Sequence, residues 1–277
     1  MFFSRSDLIF RLPRAIVTGL SVCAGQMRSG RGASPEEKGR GETMSRGNVL
    51  FVVTSHDRMG VLRNRKTGIW LEDFAVPHEI LSEAGYEVKT ASPRGGEIPV
   101  DPDSLRHSEY AAFDPEIWLE RKKELLMESM PLGEVRHDEF AAVFYPGGYG
   151  SFWDLSVDRE NAALLEKFVR KGKPVAAIRH GGTALLAAKN DSGCSILNGR
   201  RVTGASDDEE RQLALDRVVP FSLGKRLRSC GAEYICAEPW EPHVVVDGML
   251  ITGQNTQSAG RVAQVMVSAM ESFRNAE

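Results

Sequence analysis

The sequence has few cysteines and no excess of charge of either sign. Its 277 residues include four cysteines, and these form no C-x-x-C pair and no histidine spacing typical of zinc: Cys23, Cys194, Cys230 and Cys236. The 35 basic residues against 38 acidic ones leave a net charge of −3, without a long basic run in the folded part. This composition argues against a disulfide framework and a nucleic-acid partner. We expect reduced, buried thiols in a cytoplasmic protein with no metal and no organic cofactor.

Long apolar runs are also missing. The apolar piece from Ala15 to Ala24 is interrupted by polar residues and glycine, and it is too short to cross a bilayer, so no membrane partner is expected. The first 35 residues hold five arginines and one acid, and a Gly/Ser/Glu/Lys-rich run follows. We therefore interpret residues 1–46 as an N-terminal extension with two alternatives. Either the extension is disordered, or its start is mis-called and translation begins at Met44. Organelle targeting or export by residues 1–43 stays open. Residues 47–277 are expected to form one domain.

One stretch, residues 173–186, has the pattern of a strand that turns sharply into a helix. A short apolar run after Gly-Lys-Pro ends at Ile178, and Arg179, His180 and two glycines follow. In α/β enzymes such an elbow holds its central residue in a strained conformation at a helix N-terminus, where a developing anion is favoured. Arg179 is the central residue here.

Strands and helices alternate on both sides of this elbow. The apolar spacing predicts a helix over residues 70–84, interrupted by Pro77. Further segments of the same alternation are strands at residues 49–54, 86–91 and 141–145, and a helix at residues 161–171. Such alternation predicts an α/β three-layer sandwich with a mostly parallel sheet and its ligand site at the carboxyl ends of the strands.

The pattern breaks between residues 93 and 136. A proline-rich segment is followed there by a charged helix predicted over residues 115–130. An insertion of this length at the strand ends is typically a lid or an oligomer contact. Near the end of the chain, residues 244–251 read as a β-hairpin around Asp247-Gly248, and a closing helix is predicted over residues 258–273.

Five short motifs together resemble one known family. Besides the elbow they are Thr67–Asp73 with Pro77, residues 91–102 (ASPRGGEIPVDP), residues 147–155 (GGYGSFWDL) and residues 246–255 (VDGMLITGQN). Over residues 47–273 the chain resembles the ThiJ/PfpI superfamily, which has a flavodoxin-like, class I glutamine amidotransferase-like fold. Within it, the similarity is to the glyoxalase III and stress-chaperone branch.

The resemblance implies a reaction and a set of site residues. The branch turns methylglyoxal into D-lactate without glutathione (D-lactate dehydratase, a lyase), using a cysteine nucleophile, a histidine with a supporting acid, a second acid and two backbone N–H groups. His180 matches the histidine, Asp73 the second acid, and the backbones of Gly148 and His180 the oxyanion donors. The acid behind His180 falls within residues 207–210, and we favour Glu209 without separating it from Glu210. The resemblance also implies a homodimer.

Three site positions depart from the branch: Arg179 stands for its cysteine, Asp73 for a glutamate and Tyr149 for a histidine. An arginine stays protonated at ordinary pH and cannot attack a carbonyl. It is expected to pair with a carboxylate, most simply Asp73, or with a bound anion.

Three functional hypotheses of different class follow. The favoured one is a pseudoenzyme with an anion-binding or stress-related, chaperone-like role. The alternatives are an active glyoxalase III-type enzyme and a glutamine amidotransferase- or peptidase-like hydrolase, which needs a thiolate still more. The expected ligand is a small aldehyde or an anionic metabolite.

Overall fold

The fold was obtained as a computed structural model, which describes residues 45–60, 65–106, 108–111 and 113–275. These residues belong to one compact unit, Thr43–Glu277. The predicted N-terminal extension lies outside the described residues except for Ser45 and Arg46.

A seven-stranded sheet forms the centre of this unit. Within the described residues the strands are β1 (Asn48–Val52), β2 (Arg58–Met59), β3 (Arg65–Lys66), β4 (Glu87–Ser92), β5 (Met130–Pro131), β6 (Phe140–Tyr145), β7 (Val175–Ile178), β8 (Arg201–Val202), β9 (Glu233–Tyr234), β10 (Val244–Asp247) and β11 (Leu250–Gly253). The large sheet has the order β10-β11-β7-β6-β1-β4-β5, while β2 pairs with β3 and β8 with β9 in two small sheets.

All strands of the large sheet run parallel except β10, which pairs antiparallel with β11. The two antiparallel strands meet at Gly248, whose φ of 59° suits the turn. The predicted hairpin is thereby confirmed. Since β1, β6 and β7 point the same way, the loops after them converge at one edge of the sheet.

Helices cover both faces of the sheet. They are α1 (Leu71–Glu83), α2 (Pro115–Lys122), α3 (Arg159–Arg170), α4 (Asp207–Gln212), α5 (Leu223–Ser229) and α6 (Ala259–Arg274). Four of them begin at a side-chain cap, supplied by Asp114, Asp158, Ser206 and Ser222. The predicted three-layer α/β sandwich is confirmed.

Successive residues of β1 pack on opposite faces of the sheet and so divide the core into two halves. Val49 and Phe51 belong to the cluster that α1 and α6 cover, whereas Leu50 and Val52 belong to the cluster on the side of α3. Every residue of β1 after Asn48 is buried, as expected of a central parallel strand with helices on both faces.

Pro77 does not interrupt α1, contrary to the prediction. The helix runs through it from Leu71 to Glu83. Proline has no N–H to donate to the carbonyl of Asp73, four residues earlier, and its ring crowds that carbonyl. Pro77 is buried in the packing of α1, and tertiary contacts of this kind outweigh the local cost.

The insertion packs on α1 and on the edge of the sheet. Its α-helix ends at Lys122 and a 3-10 turn covers residues 123–126, so the helix predicted over residues 115–130 was too long; Met130 already belongs to β5. Trp118 of α2 meets Phe74 edge to face, with 6.0 Å between ring centroids, and donates a hydrogen bond to Glu79. A role as a lid stays a prediction.

The cysteines depart from the expected burial. Cys194 and Cys236 are exposed and Cys230 is half-buried, while Cys23 lies outside the described residues. In the described ranges, no helix is both long and apolar enough to span a membrane.

Candidate functional site

Arg179 lies directly after β7 with a φ of 53°, a left-handed conformation that residues with a β-carbon rarely adopt. The predicted elbow is therefore present. The helix that follows the turn is a 3-10 helix, Arg179–Leu185. Backbone strain of this kind at the end of a central strand is typical of functional sites.

Glycines let the neighbouring loops approach the elbow closely. A β-carbon on Gly181 would collide with the carbonyl of Tyr145, and one on Gly147 would collide with the carboxylate of Asp73. Gly148 has a φ of 139° and lies against the backbone of Gly68. The Pro-Gly-Gly loop after β6, the elbow and the start of α1 therefore meet at one point.

The Arg179 side chain is buried at this junction, with 6% of the residue exposed. Its guanidinium carbon lies 4.5 Å from the centroid of the Trp70 ring and 5.7 Å from that of Tyr149. Its polar contacts are long: Nη1 is 3.4 Å from Thr256 Oγ1 and 3.8 Å from Asp73 Oδ2. Cation–π contacts and one weak ion pair hold this charge in place.

Asp73 is completely buried, and neither carboxyl oxygen has a hydrogen-bond partner among the described residues. Burial raises the pKa of Asp73 to about 7, although the charge of Arg179 acts in the opposite direction. The indole nitrogen of Trp70 is another buried polar atom without a partner. Unsatisfied polar groups thus cluster around the guanidinium.

His180 makes a short contact with an acid on the other side of the elbow. Its Nε2 is 2.6 Å from Glu210 Oε1, and its ring lies over Tyr149 at 4.1 Å between centroids. Tyr149 donates its hydroxyl to Glu210 Oε2 at 3.2 Å. Burial lowers the pKa of His180 despite the opposing charge of Glu210, so its imidazole is neutral near pH 7. Burial alone would raise the pKa of Glu210, but His180 and Arg179 outweigh burial and lower it.

The structure places Glu210 against His180, where Glu209 was expected. Glu209 forms a capping box with Ser206 at the start of α4. It also accepts hydrogen bonds from the Trp240 amide, Gln254 and Asn255. The signal for this difference is in the sequence, because Ser206-x-x-Glu209 is the pattern of a capping box and orients residue 209 toward its own helix end.

Two residues of the site were missed by the sequence interpretation. Ser151 donates its hydroxyl to the carbonyls of both Gly148 and His180, each at 2.9 Å, and so links the Pro-Gly-Gly loop to the elbow. Thr256, just before α6, accepts a hydrogen bond from Arg179 on its hydroxyl. Nothing in the type or spacing of these two residues predicts a role in the site. Of the predicted residues, the structure brings Arg179, His180, Asp73 and Gly148 together.

A strained residue directly after a central parallel strand, followed by a buried histidine–acid pair, defines the class of α/β proteins with an elbow-type site. The DJ-1/PfpI family profile matches residues 67–269. The chain belongs to the DJ-1/PfpI family.

Similar proteins extend this assignment. The glutathione-independent glyoxalase hsp3101 of Schizosaccharomyces pombe is 25% identical, and the match covers 83% of this chain and 98% of that protein. Glyoxalase 3 of Candida albicans is 26% identical over 80% of this chain and 98% of its own length. Among solved structures, the Rapid Encystment Protein 24 kDa of Francisella tularensis is 34% identical with a TM-score of 0.76, over 81% of this chain and 99% of that one. The Candida albicans glyoxalase III structure, 22% identical with a TM-score of 0.72 over 80% of this chain and 97% of that one, shares the fold.

The site offers little to a metal ion. Across the part of the chain that the structure describes, no three His, Cys, Asp or Glu side chains are grouped so that they could hold one. Over the same part, no hydrogen bond links a cysteine to His180, Glu210 or Asp73.

Proposed function

We propose that this DJ-1/PfpI protein does not carry out the cysteine-dependent conversion of methylglyoxal to D-lactate and instead binds a small anionic metabolite at Arg179. The observation that carries the proposal is that the Arg179 guanidinium is buried with few close polar partners. It lies over the Trp70 ring at the elbow, 3.4 Å from the Thr256 hydroxyl and 3.8 Å from the Asp73 carboxylate.

The reaction of the glyoxalase relatives needs a nucleophile that Arg179 does not supply. Its guanidinium has no free electron pair at any ordinary pH, and neighbouring Tyr149 and Asp73 raise its pKa further against the effect of burial. His180 remains as a neutral base paired with Glu210, but a base without a nucleophile at position 179 cannot start the covalent chemistry.

An anion would complete the bonding that Arg179 lacks. A guanidinium presents five N–H donors in a planar fork that matches the two oxygens of a carboxylate. The structure gives this guanidinium one hydrogen bond, to Thr256. A ligand with two acceptor oxygens fits the remaining donor capacity of the guanidinium.

The test combines an activity assay and a binding assay on the full chain. We expect no D-lactate from methylglyoxal above the buffer rate, and we expect calorimetry to detect binding of at least one of acetate, glyoxylate, D-lactate or inorganic phosphate. Arg179→Met keeps the length and the apolar contact with Trp70 but removes the charge, so it should lose that binding at least tenfold. Arg179→Cys, assayed beside the parent for D-lactate, restores the residue type that the relatives' chemistry needs.

Two outcomes would overturn the proposal. D-lactate formation by the parent, whether or not Arg179→Cys is faster, would make the protein an active glyoxalase. Undiminished binding by a folded Arg179→Met variant would place the anion elsewhere. Arg170→Met, at an exposed ion pair with Asp191, is the matched control for loss of one arginine.

A further inference from the structure

Three carboxyl groups act on the charge of Arg179: Asp73, whose Oδ2 is 3.8 Å from Nη1, and Glu209 and Glu210 of α4. Among the described residues, no lysine or second arginine is named with them. With all three carboxyls ionised, the site would already carry more negative than positive charge. An added anion would then be repelled, particularly in a buried setting where charges are poorly screened.

The hydrogen bonds separate these three carboxyls. Glu209 accepts bonds from Ser206, Trp240, Gln254 and Asn255, which suits an ionised, acceptor-only group. Glu210 accepts from Tyr149 and lies against His180. Asp73 accepts none, so it is the carboxyl that gives up its charge at the lowest cost.

We infer that the ligand of this site is a small monocarboxylate, held between the Arg179 guanidinium and a protonated Asp73, and that binding takes up one proton at Asp73. The inference rests on the proposed function and specifies its ligand. In this arrangement the carboxylate accepts from the Arg179 fork with one edge and from the Asp73 O–H with a remaining lone pair. No covalent bond forms or breaks.

Charge balance selects a monoanion over a dianion. When Asp73 takes the proton, one negative charge leaves the site, and the monocarboxylate replaces it without changing the net charge. A phosphate dianion would bring an additional uncompensated charge into a buried site where, among the described residues, no second cation is named beside Arg179. The guanidinium carbon of Arg179 lies 4.5 Å from the centroid of the Trp70 ring, and the planar fork of the guanidinium matches a planar carboxylate.

The groups that face Asp73 agree with proton uptake near neutral pH. Burial raises its pKa most, Arg179 from the elbow lowers it, Thr256 before α6 also lowers it, and Glu72 beside it on α1 raises it. Glu72 itself is held by the Ser108 hydroxyl and the amides of Glu109 and Tyr110. The Tyr110 hydroxyl is occupied by Gln257 and Gly260. Glu72 therefore stays in place as a negative neighbour that favours the proton.

Calorimetry with acetate as the probe tests the inference. The parent is titrated at pH 6 and pH 8, in two buffers of different ionisation enthalpy at each pH. With a pKa about 7, acetate should bind about tenfold more weakly at pH 8 than at pH 6, with close to one proton taken up at pH 8. Asp73→Asn copies the protonated acid in shape and as a donor, so it should bind acetate without this pH dependence and without proton uptake. Glu79→Gln, on the same helix and away from the site, should behave like the parent.

The outcomes distinguish this inference from the proposed function. Acetate binding by the parent that is independent of pH would reject the protonated Asp73 and leave anion binding intact. If none of the anions binds at any pH, both statements fail together. Inorganic phosphate binding more tightly than acetate at pH 8 would reject the monocarboxylate.

A measurement without ligand covers the case in which Asp73→Asn does not fold. In the parent labelled with 13C-aspartate, the Asp73 carboxyl signal should titrate near pH 7, well above the ordinary aspartate value of 3.8. Titration of every aspartate signal below pH 5 would overturn the inference.

Discussion

The backbone at Arg179 carries a cost that its side chain does not remove. A φ of 53° brings the β-carbon close to the backbone carbonyl, which costs roughly 1 to 2 kcal/mol for any residue except glycine. We therefore expect Arg179→Gly to be about 1 kcal/mol more stable than Arg179→Ala, since both variants lose the same guanidinium and only alanine keeps the β-carbon. Urea unfolding of the two variants measures the difference.

A second left-handed residue provides the control. Ala214 has a φ of 55° just after α4 and is exposed, so Ala214→Gly should gain stability for the same reason, without any change at the site. Equal stability of the alanine and glycine variants at position 179, together with a gain at position 214, would show that the elbow relaxes when the arginine is removed.

At the scale of the element, α4 separates two neighbouring glutamates. Glu210 points to His180, while Glu209 accepts hydrogen bonds from four residues and caps the helix. We expect Glu209→Ala to lower the free energy of unfolding by about 3 kcal/mol or more, because it leaves several buried donors unpaired and removes the cap. Thermal and urea unfolding give the value.

Asp208 is the matched control on the same helix. It is exposed and pairs with Arg211 on the surface, so Asp208→Ala should change stability by no more than about 0.5 kcal/mol. A Glu209→Ala loss as small as that of Asp208→Ala would mean that the Trp240 loop and Gln254 find other partners.

The elements that the sequence predicts well are those whose burial alternates or is complete. The apolar runs of β1, β6 and β7 and the period of α3 need no tertiary information to be recognised. One local prediction, the interruption of the helix at Pro77, was wrong. Packing of α1 against neighbouring elements decides the conformation there against local preference.

At the scale of the whole molecule, the motifs were sufficient for the fold and for the meeting of Arg179, His180, Asp73 and Gly148. They did not separate Glu209 from Glu210, because adjacent helical positions differ by 100° in direction; the capping box Ser206-x-x-Glu209, which fixes that rotation, lies outside these motifs. Nor could they indicate Ser151 or Thr256. Their hydroxyls belong to the site because the fold brings them within hydrogen-bond distance of His180 and Arg179. The expected homodimer stays a prediction, which sedimentation velocity would check.

Three buried groups of the site, Asp73, His180 and Glu210, contribute to the pH dependence of stability, and their pKa values are shifted in different directions. Asp73 has a raised pKa, about 7 against 3.8 for an ordinary aspartate, so between these values the folded state holds a proton that the unfolded state releases. Its contribution therefore falls as pH rises from about 4 to 7. The pKa values of His180 and Glu210 are lowered. Both therefore destabilise the fold as pH falls: His180 below about 6.5, and Glu210 as the pH approaches its folded pKa.

Comparison with Asp73→Asn isolates the first effect, because contributions from His180 and Glu210 are the same in both proteins and cancel in the difference. Relative to the parent, the asparagine variant should gain stability from pH 5 to about pH 7 and level off by pH 8, since an amide has no proton to lose and the Asp73 carboxyl is ionised in both states above its folded pKa. Urea unfolding at four pH values in this range measures the difference. A constant difference would mean that Asp73 stays ionised throughout as the partner of Arg179, so that the ion pair, despite its 3.8 Å separation, is strong enough to outweigh complete burial of the carboxylate.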